Sequence, residues 1–383
     1  MTTNLRSLPV LLLLLTASAA YSQAPDAIDM ARLRRLHQKA QSGAKLTPDE
    51  QAYYDRGKAA RQHANLQDKK TQPRASDTAK SPAAGKSSAG LVPLTDMAAG
   101  QTYQGQTGGL YGNGANTPPA AQLELALKAA NEIQPLDQNG KPSPTGRIVL
   151  LTHGMSNTTQ ESQQFIKLAT ADPRKNPALI IVDGAQGGID SRKWVNRMRD
   201  KSGVDPWDRL DERLKAAGAS RPQVQAVWMK HALIRPAQYG EFPKHAVALQ
   251  ADLTKIVEQL KAQFPNLKLA YLSSRIYAGY ATTELNPEPY AYESAFAVRG
   301  TIYEQIQGSP ALSVTGGKAP VLLWGPYLWS DGEKGRQTDN LKYRPADFRD
   351  DGTHPSPTGQ QKVADQLLNF FTTNPTAKPW FTN

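Results

Sequence analysis

The chain has 383 residues, no cysteine and a formal net charge of +11, a length suited to one or two domains. The lack of cysteine excludes a disulfide framework, a thiolate zinc site, an iron–sulfur cluster and a cysteine nucleophile. Between Pro25 and Gly90 stand 13 Lys/Arg against 7 Asp/Glu, so more than half of the basic excess lies in the N-terminal quarter and does not point to nucleic acid.

In chain order, Arg6 is followed by an apolar run from Leu8 to Thr16 and by the small residues Ala17, Ser18, Ala19 and Ala20. This pattern predicts a signal peptide over residues 1–20. The run is shorter than the roughly 18 apolar residues of a membrane span, so the expectation is an exported protein, periplasmic or extracellular, with no stable membrane anchor. Residues 25–67 predict a short basic helical hairpin. Its first helix carries Ile28, Met30, Leu33 and Leu36, and Thr47-Pro48-Asp49-Glu50 opens the second as a capping box. Residues 68–95, rich in Lys, Ser, Ala, Gly and Pro, predict a disordered linker.

A catalytic domain is expected over residues 100–383, opening with a Gly-rich lead-in at Tyr103–Pro119. From Arg147 onward, near-continuous Val/Ile/Leu runs alternate with helical stretches. The runs are Ile148–Thr152, Leu179–Asp183, Val224–Met229, Leu267–Ser273 and Pro320–Gly325. The helical stretches are Gln160–Ala171, Trp207–Ala217, Lys244–Phe264, Ala291–Gln307 and Gln360–Phe371. Uninterrupted apolar strands are buried on both faces. The alternation therefore predicts an α/β fold: a three-layer, doubly wound α/β/α sandwich with a mostly parallel five-stranded sheet. Ligands of such sheets bind at the carboxyl ends of the strands, which directs attention to the residues after each run.

After the first strand come Gly154, Met155 and Ser156. Ser156 there is either an exposed nucleophile near a helix N-terminus or a helix cap. After the second comes Asp183-Gly184-Ala185-Gln186-Gly187-Gly188, whose glycines let backbone N–H groups approach an anion. Before the last helix stands Asp351-Gly352-Thr353-His354-Pro355. An Asp three residues before a His can hold the second ring nitrogen and fix its tautomer.

Together these segments resemble the SGNH (GDSL-type) hydrolases over roughly Arg147–Phe371. The resemblance implies the flavodoxin-like version of the fold. It implies acyl transfer through Ser156, with His354 as base and Asp351 as its orienting carboxylate. Gly188 would lend an oxyanion N–H. The Gly-x-Asn-Asp block expected after the third strand is replaced by Val227-Trp228-Met229-Lys230-His231-Ala232, so Lys230 or His231 is expected as the substitute donor. No metal or other cofactor is implied.

The loop after the fourth strand carries Arg275, Tyr277, Tyr290 and Tyr292, and Trp324 ends the fifth. Aromatic faces mixed with polar groups suit a sugar, which predicts hydrolysis of short acyl, chiefly acetyl, esters on carbohydrate. The alternatives are an esterase for lipid or aryl esters and, because of the missing block, an impaired glycan-binding protein. The expected partner is an acylated carbohydrate or another small ester, not nucleic acid.

Overall fold

The computed structural model describes residues 32, 36, 39, 46–56 and 88–383. The expected signal segment lies outside them, as do most of the expected hairpin and residues 68–87 of the expected linker. The chain divides into two compact units, Met1–Lys80 and Ser81–Asn383. In the first, residues 48–56 are helical. The capping box is present: the Thr47 N–H donates to Glu50 at 2.9 Å, and the Glu50 N–H donates to the Thr47 hydroxyl at 3.3 Å. Lys39 pairs with Glu50 at 2.7 Å.

In the second unit, five parallel strands form one sheet: β1 (Ile148–Gly154), β2 (Leu179–Asp183), β3 (Val224–Lys230), β4 (Leu269–Ser273) and β5 (Val321–Trp324), in the order β2-β1-β3-β4-β5. Every residue of β1, β3, β4 and β5 is buried, as continuous apolar runs require of strands covered on both faces. Each Val, Leu or Ile so buried contributes about 1.5–3 kcal/mol.

The helices are α1 (Ala120–Asn131), α2 (Ser156–Ala171), α3 (Ser191–Val195), α4 (Pro206–Ala216), α5 (Lys244–Gln263), α6 (Tyr290–Ile306), α7 (Pro357–Thr373) and α8 (Lys378–Phe381). Helix α2 packs on α7, and α8 joins α7 to α1; α5 packs on α3 and α6. These two groups form the outer layers. The architecture is the expected α/β/α sandwich, with the strand order of the flavodoxin-like fold.

Part of the expected linker is not loose. The Ser88 hydroxyl and the Ala89 N–H donate to Asp331 at 2.5 and 2.6 Å. Leu94 is fully buried, and its N–H donates to the Tyr327 hydroxyl at 3.2 Å. Two hydrogen bonds to one carboxylate and one buried leucine tie this end of the stretch down. The Gly-rich lead-in likewise folds back as a two-residue ladder, Thr102–Tyr103 with Gln106–Thr107. Among the described residues no helix is long and apolar enough to cross a membrane.

The order of the strands places the topological switch between β1 and β3, whose register pairs Gly154 with Lys230. The loops after β1, β2, β3 and β4 and the segment before α7 meet at this end.

Candidate active site

Strand β1 ends at Gly154, and a Cβ there would collide with the carbonyl of Lys230 on β3, so only glycine lets the two strand ends approach this closely. The Gly154 carbonyl accepts the N–H of Gln186 and the indole N–H of Trp194, both at 3.0 Å, which draws the loop after β2 over the strand end. Extended Met155 caps α2 and makes Ser156 its first residue. The Ser156 N–H therefore has no intrahelical acceptor.

The segment before α7 supplies the partner. Gly352 sits at φ +61°, with the space for a Cβ filled by the Tyr280 carbonyl. Its turn lets Asp351 accept the backbone N–H groups of Thr353 and His354 at 3.0 and 2.9 Å. The His354 Nδ1–H donates to Asp351 Oδ2 at 2.5 Å, and Nε2 accepts the Ser156 hydroxyl at 2.8 Å. Serine, histidine and aspartate form one hydrogen-bonded chain. Burial acts to raise the Asp351 carboxyl, but the hydrogen bonds from the two backbone N–H groups and the His354 ring outweigh it and hold the group below its ordinary value. Asn157, next to Ser156, donates to the Thr353 carbonyl at 2.9 Å and ties the start of α2 directly to the histidine segment.

Comparisons with known proteins give the architecture its neighbours. No family model and no curated protein matches the chain. Several solved structures overlap it in part. A Bacteroides fragilis protein provisionally assigned as an acylhydrolase is 17% identical, with 66% of this chain and 96% of that chain covered and a TM-score of 0.34. LAE5, an alpha/beta hydrolase from the metagenome of Lake Arreo, is 14% identical over 60% and 95%, at 0.34. The catalytic domain of the Streptococcus pneumoniae peptidoglycan O-acetyltransferase OatA is 12% identical over 59% and 94%, at 0.29. Overlaps this loose say nothing about substrate.

Ser156 and His354 open onto a cavity of about 260 Å³. Its wall is mostly apolar, formed by Met155, Ile189, Leu233, Ile234 and Leu285, with Gly188, Asp190, Arg275 and Asn286 among the rest. Gly188 is at φ +79° and lies in this wall. Asp190 was not singled out in the sequence. It caps α3, accepting the Lys193 N–H, and also accepts the Ile234 N–H, each at 3.1 Å, so it clamps the loops after β2 and β3 together.

Lys230 and His231 are elsewhere. Lys230, the last residue of β3, is fully buried and ion-paired with Glu161 of α2. His231 follows it on the opposite face of the strand, as the period of two dictates. It bonds His153 at 2.8 Å, beneath Trp194 and Trp207, which pack on the His153 ring. Neither residue lines the cavity, which corrects their expected role as oxyanion donors. The pairing of Lys230 had a signal in the sequence: Glu161 is the only acid in α2, and a lysine closing an apolar strand needs a counter-charge.

Four of the expected sugar-facing aromatics are likewise structural. Tyr277 is buried between Tyr280 and Trp329. Tyr290 packs its ring edge on His245. The Tyr292 hydroxyl donates to the Val92 carbonyl at 2.9 Å. The Trp324 indole donates to the Leu110 carbonyl at 2.8 Å. Tyr292 thereby anchors the end of the expected linker, and Trp324 anchors the lead-in that the sequence left irregular. Of the five residues expected to bind substrate, only Arg275 reaches the cavity.

The buried imidazole pair has a measurable consequence. Burial pushes His231 down to about 3, and burial together with its neighbour holds His153 well below its ordinary value. Both rings therefore fold neutral, while the unfolded chain takes up protons near pH 6.5. Their contribution to stability is complete above about pH 6.5 and is lost as pH falls toward 3, by up to about 1.4 kcal/mol per pH unit for each ring. Urea midpoints measured from pH 7.5 to 4.5 should fall steeply. The fall should be shallower in the double variant His153→Leu/His231→Leu, and equal slopes would refute the assignment.

Proposed function

We propose that this chain is a serine hydrolase of short acyl esters, in which Ser156 is the nucleophile, His354 the general base and Asp351 the residue that orients it. One observation carries the reading: the hydrogen-bonded Ser156–His354–Asp351 chain stands at the mouth of a small cavity with a mostly apolar wall. A neutral imidazole that accepts the serine proton at Nε2 and is held at Nδ1 by a carboxylate is the arrangement general-base catalysis needs. The N–H groups of Ser156 and Gly188 are the backbone donors that fit the developing oxyanion.

The cavity suits an acyl group of a few carbons. Its wall contains no aromatic ring among the described residues, so the proposal concerns the acyl side of the ester and leaves carbohydrate as one of several alcohols to be compared. The pattern of Arg6, Leu8–Thr16 and Ala17–Ala20 supports export of the enzyme.

A fluorophosphonate reagent should form an adduct that peptide mapping places on Ser156. Across p-nitrophenyl esters, kcat/KM should fall more than tenfold between butyrate and octanoate. Absence of both labelling and turnover would favour a non-catalytic binding protein. A preference for long chains would favour a lipid esterase.

A further inference from the structure

Arg275 presents an unusual feature. The residue follows β4 directly and is 1% exposed. Its Nε–H donates to Asn286 Oδ1 at 3.2 Å, and Asn286 is fixed in turn by donating to the Leu233 carbonyl at 3.2 Å. The guanidinium is thus oriented by a hydrogen bond to a neutral partner. Its Nη2 is buried with no hydrogen-bond partner among the described residues. Burial holds the guanidinium below its ordinary value, and the carboxylates of Glu161, Glu288 and Asp351 oppose that shift, but none bonds to Nη2. A buried charged donor without an acceptor is costly, so such a group in a native site calls for an acceptor that arrives with the ligand.

The cavity is the space into which such an acceptor would come. Arg275 belongs to its wall together with Ser156 and His354. A sphere of that volume, about 260 Å³, has a radius of about 4 Å, so a small acyl group filling it lies against the wall residues, Ser156 and Arg275 among them. The other charged wall residue, Asp190, already accepts two backbone N–H groups and has nothing to donate. A permanent carboxylate would meet Asp190 in the same small space, whereas a carbonyl oxygen is neutral until attack.

We propose that Arg275 donates from Nη2 to the oxyanion of the tetrahedral intermediate, as a side-chain member of the oxyanion hole. This rests on the serine-hydrolase reading above. The Ser156 oxygen bonds to the acyl carbon while its proton passes to His354 Nε2. The carbonyl π pair moves onto oxygen, which accepts the Arg275 hydrogen bond. On collapse the carbonyl re-forms, the ester C–O bond breaks, and the departing alkoxide takes the proton from His354. An Nη2–H bond that strengthens as charge develops acts on kcat rather than on KM.

Arg275→Gln and Arg275→Lys should lower kcat on p-nitrophenyl acetate by about 10²–10³-fold, with KM changed less than threefold. Millimolar guanidinium should restore part of the activity of Arg275→Ala and none of that of Ser156→Ala. In a crystal structure of the wild-type protein phosphonylated at Ser156, the phosphoryl oxygen should lie about 2.7–3.1 Å from Nη2; this readout does not depend on any variant folding. The proposal is overturned if that oxygen contacts backbone N–H groups alone, if kcat of well-folded variants stays within threefold of wild type, or if the loss is confined to KM for carboxylate-bearing esters. Any of these, with Ser156→Ala inactive, leaves the serine reading standing. An active Ser156→Ala removes both.

Discussion

Ser156→Ala should lower kcat on short acyl esters by on the order of 10⁶ while the protein remains folded. Among the described residues the Ser156 hydroxyl is the one bonded to a histidine that a carboxylate holds, and on the proposed reading His354 and Asp351 have nothing to activate without it. Members of such a unit do not add: removing the nucleophile alone costs about as much as removing all of them. What survives should be a residual rate from the remaining donors and the cavity, about 10³–10⁴ over water. Asp351→Asn should fall by about 10⁴-fold, because an amide at Oδ2 presents a donor to Nδ1 and turns the ring to the wrong tautomer. Steady-state kinetics on p-nitrophenyl acetate, with circular dichroism to show an intact fold, checks both. Retention of even a tenth of the activity in Ser156→Ala would place the nucleophile elsewhere. The substitution should leave the melting temperature nearly unchanged, since a small hydroxyl at the first position of α2 carries little of the packing.

Lys230→Met should have the largest effect on stability. Burial holds the lysine below its ordinary value, at about 8, and the Glu161 carboxylate opposes that shift. Burial also pushes Glu161 up, against the pull of Lys230 and Arg275. Both charges have left water, and each is tolerated only because the other is there. Removing one partner of such a pair costs about 3–5 kcal/mol, which for a unit of this size lowers the melting temperature by about 10 °C. The second variant gives the diagnostic result. Lys230→Met/Glu161→Leu removes both charges and should recover most of the loss, because replacing a whole buried pair by apolar groups is often neutral or stabilising. Equal melting temperatures for the single and double variants would mean that the loss comes from packing and not from the orphaned carboxylate.

The sheet was legible because its signal is local and redundant. Leu179–Asp183 was bounded to the residue, and the other four strands to within about two residues at either end. A strand covered on both faces must be apolar throughout, and that leaves little ambiguity in Val/Ile/Leu runs. Helix α2 begins four residues earlier than expected, at Ser156. Its first turn, Ser-Asn-Thr-Thr, is polar and of low helix propensity, so no apolar period announced it. Helix α1 was missed because it is Ala-rich and shows three small or polar buried positions, Gln122, Ala126 and Ala130, where a stripe of large side chains was sought.

The site divides along the same line. Asp351 and His354 were legible because three residues of separation on one turn fix their contact. The layer that Lys230 enters was not, because strand parity, not residue type, decides it, although a lone acid in α2 marked Glu161 as the available counter-charge. Tyr277, Tyr290 and Tyr292 follow a strand end and were expected at the mouth of the site. A loop has no period, and side-chain direction there depends on what the lead-in needs as anchors.

One consequence follows from how the cavity is assembled. The reacting atoms stand on the first turn of a helix and on a hydrogen-bonded turn, with Asn157 as a strut between them. Most of the apolar wall comes from other segments: Ile189 after β2, Leu233 and Ile234 after β3, and Leu285 in the loop before α6, with Met155 beside the serine as the exception. On the proposed reading, most of the residues that set acyl selectivity therefore lie outside the stretches that carry proton transfer. Exchanging one wall segment should change the acyl preference while Ser156, His354 and Asp351 keep their geometry.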